Sequence, residues 1–507
     1  MQLHPLTLLG LLALFVYGCD GEDYLADAEV SFNQAETDFT SNETLDDLTR
    51  GAYFNLKAPG NYGTIDMLLY QDVASDIVEL KTYSNNTSGN NNLAPLYNRE
   101  PQINNFQWLE YSWAGAYTLL YNANLVIDYY ETNGPIADDM ADQVPRIQGE
   151  CHFLRAFTYY LLSTVYAPPY SSDPNAPSVI LRTEPTPAPT AYQGRATNEE
   201  VYRQIVADAK RAIELLPEQY DPAIHREDYQ DRANRDAARF LLAKVYFHMG
   251  EEFWTSGFDG DGGAKEQIDA LIASGRYPVE PADDLQNFVF GPRGLGEKAP
   301  ETVWYASYYF RNAWRAPRFE RHFSNFSGGN AGQGRGFAMS KATLSGLGWT
   351  DTLVAQQDQR YTDYYRRYEA GEDPTYPDLY QDAYNVWSQK FLNITANFVV
   401  FRSPELYLMR SVIALTNGNT AAALADVNVV RTRAGLPPLT ALTIGDIGDE
   451  FIKELGFEGR RLFFLQALKL DIPPGDRSGA QPIPYDDPSL VRQLPEVELS
   501  RNPALGN

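Results

Sequence analysis

The stretch Glu450-Phe451-Ile452-Lys453-Glu454-Leu455-Gly456-Phe457-Glu458-Gly459-Arg460-Arg461 decides how the chain is read. As a helix it sets Glu454 four residues before Glu458 and Glu458 three before Arg461, spacings at which side chains meet on one helix surface. These charges are expected to form structural ion pairs on a long terminal helix. Upstream, Ser403-Pro404 is an N-cap followed by proline at the first helical position. It opens a helix carrying Leu406, Met409, Ile413 and Ala414, and Asn417-Gly418-Asn419 turns the chain into a second one with Ala422, Ala425, Val429 and Val430.

Helical signals of this kind recur in pairs. Thr40-Ser41-Asn42-Glu43 has capping-box spacing and leads into Leu45, Leu48, Ala52 and Leu56. Trp108, Tyr111, Ala114, Tyr117, Leu120, Tyr121, Asn124 and Ile127 mark one face of a long helix, on which Trp113, Tyr117 and Tyr121 are expected in the core. Ile147 to Tyr166 follows, stopped by Pro168 and Pro169. Beyond the looped, proline-rich stretch Pro174 to Pro189, Thr197-Asn198-Glu199-Glu200 is a second capping box, leading into Val201, Ile205, Ala209, Ala212, Ile213 and Leu216. Its partner, Ala237 to Gly250, resembles a tetratricopeptide helix in its small Ala238 and Ala243, its Tyr246 and its closing Gly250. Three or more pairs can stack around one core.

Between Gly257 and Gln389 the texture changes to dense glycine, aromatic and charged residues with little periodicity. Trp304 to Phe310 is compatible with a strand, and Gly328 to Gly336 reads as a mobile glycine-rich loop. The expected fold is mainly α: a tetratricopeptide-like helical-pair scaffold with a large loop-rich insertion containing few short strands. The expected organisation is a leader at 1–18, helix pairs over 19–256, the insertion over 257–389 within the same compact unit, and a helical region over 390–507.

The 507 residues carry a formal charge of −26, which argues against nucleic-acid binding, since that neutralises phosphates with Lys and Arg. Abundant Tyr, Phe and Trp with Asn, Gln and Ser in the loops favour neutral ligands held by stacking and hydrogen bonds. At the N-terminus an uncharged apolar run, Leu8 to Gly18, is too short to span a bilayer. With Phe15-Val16-Tyr17-Gly18-Cys19 it reads as a bacterial lipoprotein signal cleaved before Cys19. Lipidation of Cys19 would anchor the protein, because more than one acyl chain gives stable attachment. The other cysteine, Cys151, is flanked by Phe153 and Leu154 and is expected to be a buried, inert helix residue.

No pattern asks for an enzyme, a metal or a cofactor. The carboxylate pairs Asp46-Asp47, Asp138-Asp139, Asp283-Asp284 and Asp486-Asp487 are adjacent in sequence and expected to be solvated. The five histidines show no H-E-x-x-H spacing, and no G-x-S-x-G turn occurs. Asp259-Gly260-Asp261-Gly262-Gly263 with Glu266 resembles part of a calcium loop but lacks its remaining ligands, so it reads as a turn. No Walker Lys-Ser/Thr follows Gly328 to Gly336.

The Glu450 to Arg461 stretch resembles the SusD/RagB-like outer-membrane lipoproteins, whose pattern there is E-x-x-x-E-L-x-F-E-G-x-R-W-x-D-L. Gly51-Ala52-Tyr53, Gln71-Asp72-Val73-Ala74-Ser75-Asp76, Trp113 to Asn124, Phe153-Leu154-Arg155-Ala156, Leu406-Tyr407-Leu408-Met409 and the closing Glu498 to Leu505 fall in the family's order. Departures are Leu462 for Trp, Phe464 for Asp and Gln466 for a basic residue. The resemblance implies a surface-exposed lipoprotein that sits over a SusC-like TonB-dependent transporter and delivers oligosaccharides to it. Peptides are the alternative ligand within the family, and a tetratricopeptide adaptor without a ligand is the alternative outside it. The acidic residues after Cys19 resemble the family's surface-routing tail.

A sugar's C–H face stacks on aromatic rings while its hydroxyls need polar groups at the rim. Two segments offer both. One follows Asp76 and holds Tyr83, Asn85, Asn86, Asn90, Asn91, Asn92 and Tyr97, in the region where SusD-like proteins contact glycan. The other runs from Trp304 through Tyr305, Tyr308, Tyr309, Arg311 and Asn312 to Trp314. The candidate ligand-binding residues are Asp76, Tyr83, Asn85, Asn91, Tyr97, Trp304, Tyr305, Tyr308, Tyr309 and Trp314. For Trp304 and Tyr305, core packing as alternating strand residues is the competing expectation.

Overall fold

The structure, a computed structural model, describes residues 39–57, 63–82, 94–100, 107–185, 192–221, 225, 231–291, 297–307, 335–368, 385–391 and 398–505. Its principal helices are α1 (Asn42–Lys57), α2 (Met67–Val73), α3 (Gln107–Asn133), α4 (Val144–Tyr166), α5 (Asn198–Leu215), α6 (Arg235–Met249), α7 (Gly263–Ala273), α8 (Gln359–Tyr364), α9 (Ser403–Thr416), α10 (Thr420–Arg433), α11 (Ile444–Leu455) and α12 (Arg461–Ala467). The strands are β1 (Val78–Thr82), β2 (Thr302–Ala306), β3 (Arg335–Met339), β4 (Tyr365–Tyr368), β5 (Asn385–Ser388) and β6 (Phe398–Arg402). The protein is mainly α, as its sequence periodicity predicts.

The helices start where side chains supply the hydrogen bonds that the first turn lacks. At α5 the Thr197 hydroxyl accepts from the Glu200 amide at 3.2 Å while the Glu200 carboxylate accepts from the Thr197 amide at 2.8 Å. Asn234 caps α6 through the Ala237 amide at 2.9 Å, and Thr443 with Asp446 forms a third box at α11. At α1 the expected box is displaced by one residue. Ser41, and not Thr40, accepts from the Thr44 amide, which leaves Asn42 to bind Asp138 and the Ile136 carbonyl across the bundle.

Successive helices pack on one another from α3 to α7, and α9 packs on α10. One large core runs through all of them, and a smaller cluster of Leu45, Val126, Ile127, Ile147 and Cys151 fills the space between α1, α3 and α4. Cys151 is buried there, and burial pushes its thiol up to about 12, which fits the inert role expected of it.

Three two-stranded antiparallel ladders, β1 with β3, β2 with β6 and β4 with β5, stitch distant parts of the chain together. The 257–389 region is more regular than its sequence texture suggests, since it also carries α7, α8 and shorter helices. Arg335 and Gly336, taken from sequence as part of a glycine-rich loop, begin β3 and pair with Thr82 and Lys81. The Asp259 to Gly263 run is a turn: Gly262 sits at φ +83°, and Asp261 accepts from the Gly263 amide at 3.2 Å and from Tyr246.

The Glu450 to Arg461 stretch is not one helix. It breaks at Gly456 and restarts at Arg461, with Phe457 and Gly459 at positive φ. The charges therefore pair across the fold and not along a helix. Glu458 accepts from Arg402 Nε at 2.9 Å and Nη2 at 2.7 Å and from Lys390 at 2.7 Å. Glu454 is held by Arg402 and Arg433, and Arg402 and Arg433 also share Glu301 at 3.0 and 2.7 Å. Arg360 joins Glu450 at 2.8 Å. All of these groups are buried. Taking a charge out of water costs several kcal/mol, so each must keep its partners.

Trp304 and Tyr305 belong to the core, which corrects their candidacy as a surface stacking platform. They are 2% and 1% exposed because both faces of β2 are covered, so strand alternation does not turn either ring outward. The Trp304 ring meets Phe153 at 4.8 Å, Phe157 at 5.4 Å and Phe401 at 5.6 Å, and its Nε1 donates to the Asp231 carbonyl at 3.0 Å.

Two expectations follow. Burial opposes charge on Glu458, but Arg402 and Lys390 outweigh it and hold the carboxyl below its ordinary value of 4.5. As pH drops through that value the unfolded chain takes up the proton first, so stability falls with falling pH. Glu458→Gln should lower stability at pH 7 by about 3–5 kcal/mol and flatten the slope between pH 5 and pH 3 in urea titrations; an unchanged slope would contradict the assignment. Trp304→Ala should cost about 3–5 kcal/mol in the same assay, as loss of a packed ring does, whereas a surface ring would cost almost nothing.

Candidate functional site

The described ends of the first candidate segment, Asp76 and Tyr97, lie beside α2 and the β1–β3 ladder. Asp72, near the end of α2, accepts from the amides of Gly459, Arg460 and Arg461 at 2.7, 3.0 and 3.0 Å, and so fastens the start of α12 to α2. Burial pushes its carboxyl up to about 6 despite those three donors. Gly459 is required there: it sits at φ +73°, and a Cβ would come 2.4 Å from the Leu68 carbonyl oxygen. Four residues beyond Asp72, Asp76 takes both arms of Arg461, at 2.8 and 2.9 Å. Its backbone carbonyl accepts from Ser340 and Thr343 at 2.8 and 3.2 Å.

Asp76 thus positions the rim and is itself buried. Tyr97 is also buried, its ring 6.3 Å from Phe337 and 4.2 Å below the Arg477 guanidinium. Arg477 donates to the carbonyls of Val73 and Ser75 at 2.8 and 2.7 Å, and Arg99 donates to that of Ala74 at 2.8 Å. Two cations therefore close the carbonyl end of α2, where the helix dipole is negative. Arg99 and Arg477 were not singled out from sequence. Each lies outside the local pattern that would mark a helix cap, so no spacing could have identified the pair.

The β1–β3 register sets Thr82 opposite Arg335. Thr82 is the last described residue before the Asn-rich segment, and Arg335 is the first described residue after 308–334, 21 positions beyond Trp314. Tyr83, Asn85 and Asn91, like Tyr308, Tyr309 and Trp314, lie outside the described residues. Cys19 does too. Trp304 and Tyr305 of β2 border a cavity of about 200 Å³ together with Gln219, Tyr220 and Lys298. The arrangement is a rigid frame of ladder, caps and buried ion pairs with a polar cavity beside it. The carboxylates singled out near it, Asp72 and Asp76, are occupied with amides and a guanidinium. Among the described residues no helix is long and apolar enough to cross a membrane.

Comparison with known proteins bears on the same frame. Residues 23–247 match a SusD-like family described as "Starch-binding associating with outer membrane", and residues 265–465 match the SusD family itself. SusD-like protein P2 of Formosa agariphila is 23% identical over 99% of this chain and 98% of its own length. SusD-like protein P25 of the same organism is 23% identical over 51% of this chain, a match that spans 45% of P25. A SusD superfamily protein of Bacteroides thetaiotaomicron superposes with a TM-score of 0.74 at 19% identity, covering 92% of this chain and 99% of that one. The surface glycan-binding protein A of Bacteroides uniformis superposes with a TM-score of 0.71 at 21% identity, over 92% and 99% of the two chains. At these identities the superpositions speak for the fold, and with the two adjoining family matches they place the sequence: the chain belongs to the SusD/RagB-like family.

Proposed function

We propose that this protein is a glycan-binding lipoprotein of the outer membrane, anchored through Cys19, that captures oligosaccharides and passes them to a SusC-like TonB-dependent transporter. The observation that carries the reading is the match of residues 23–247 and 265–465 to SusD-like families, in a chain whose sequence holds an Asn-rich and an aromatic segment. Those two compositions supply hydroxyl-binding amides and ring faces, the two things a neutral saccharide needs. Family membership supports carbohydrate binding as the general activity, and a relative of the same fold carries the description of a laminarin-binding SusD-like protein. The frame beneath the ladder supports capture without turnover, because Asp72 and Asp76 are committed to holding α12.

The test is a titration of the chain from Asp20 onward against oligosaccharide and peptide panels, with product analysis of every hit. Saturable saccharide binding without new products is expected, and Tyr83→Ala or Trp314→Ala should weaken it by about 10-fold or more, about 1.4 kcal/mol, while the melting temperature holds. Binding of peptides alone, or release of shortened sugars, would overturn the reading. Co-purification with a TonB-dependent transporter from membranes, lost on Cys19→Ala, tests the anchor and the delivery step together.

A further inference from the structure

The cavity beside β2 is bordered by a cation, Lys298, that makes no ion pair among the described residues. Lys298 is half-buried; its ammonium donates to the Val303 carbonyl at 3.1 Å and lies 5.1 Å from the centre of the Tyr277 ring. Among the described residues it has no ion-pair partner. The carboxylates around it are engaged elsewhere. Asp236 takes both arms of Arg276 at 2.7 and 2.8 Å and the Tyr277 hydroxyl at 2.8 Å, while Glu218 sits 3.3 Å from Arg235. The other cation on the cavity wall, Arg232, is matched by Asp46 and Glu150.

The fully buried lysines are treated differently. Lys244 holds Glu405 and Lys390 holds Glu458, in a chain with 67 acidic residues to draw on against 41 basic ones. Burial pushes the Lys298 ammonium down to about 8 against the attraction of Asp236, whose own hydrogen bonds go to Arg276 and Tyr277, so it keeps its charge at neutral pH without a direct ion pair among the described residues. The space in front of it is about 200 Å³, which at about 30 Å³ per water is the volume of roughly six or seven waters, enough for a single sugar ring. The buried Tyr220, Trp304 and Tyr305 line its wall, and the exposed Gln219 brings an amide to its mouth. The amide suits a sugar hydroxyl, and a lysine is a point charge for a carboxylate or sulfate.

We infer that this cavity takes one anionic sugar residue of a bound glycan, with its carboxylate or sulfate set against Lys298. The inference rests on the glycan-binding reading and narrows it to chains that carry acidic sugars.

Calorimetric titration of the chain from Asp20 onward with glucuronate, glucose 6-sulfate and glucose at pH 7 and low salt tests it. At least one anionic sugar should bind about 10-fold more tightly than glucose; Lys298→Met should erase that margin and Lys298→Arg should keep most of it. Preference for glucuronate alone identifies a carboxylate ligand, and for the sulfate alone a sulfate ester. Equal affinities for all three sugars, or a margin that survives in Lys298→Met, overturn the inference. Should Lys298→Met fail to fold, the unaltered protein gives the answer on moving from pH 7 to pH 9. Lys298 loses its charge in that interval, whereas Arg276 and Arg232, held up by their carboxylate partners, keep theirs and Tyr277, pushed up by burial, stays neutral. A margin that persists at pH 9 overturns the inference as well. Neutral oligosaccharides that bind without any anionic margin remove this inference alone, while silence across every saccharide removes the glycan-binding reading.

Discussion

The fold depends on the buried guanidinium of Arg402. It ends β6, and from there reaches Glu301 at the start of the β2 strand, Glu454 on α11 and Glu458 in the turn that follows. Arg433 at the end of α10 and Lys390 after β5 complete the cluster from two further directions. A lone ion in this interior would cost several kcal/mol, so every element that brings a charge here must arrive with the others. The cluster therefore specifies one arrangement of β2, β6, α10 and α11, and it ties the 257–389 region to the C-terminal helices.

From that cluster the order propagates to the frame of the candidate site. Glu458 fixes the turn, Gly459 lets it approach α2, and Asp72 then collects the amides that open α12. Arg461, the next residue, reaches Asp76, whose carbonyl binds Ser340 just after β3. A chain of polar contacts thus runs from the centre of the protein to the β1–β3 ladder. The site gains rigidity from this because its strands are held at their ends as well as along their length.

Helix formation was legible because it is local. Capping residues, proline stops and apolar spacing lie within a few positions of one another, so α4, α5, α6 and α9 can be read directly. The same local logic misled at Glu454 and Glu458. Their spacing fits a helix surface, but Gly456 and Gly459 interrupt it and burial turns both carboxylates toward Arg402. At Trp304 the aromatic composition suggested a ligand platform, and only the covering of both strand faces by α4 and β6 residues places the ring in the core.

The sequence by itself determined a mainly helical protein, its caps and its family, because those depend on neighbours along the chain and on the order of short motifs. The tertiary structure alone decided which charges meet, that Arg99 and Arg477 close α2, that Thr82 faces Arg335, and that Lys298 stands beside a cavity with no ion-pair partner among the described residues. Those contacts join residues up to hundreds of positions apart. Their partners are chosen by the cost of burying polar groups unpaired, a constraint that acts only once the chain has closed on itself.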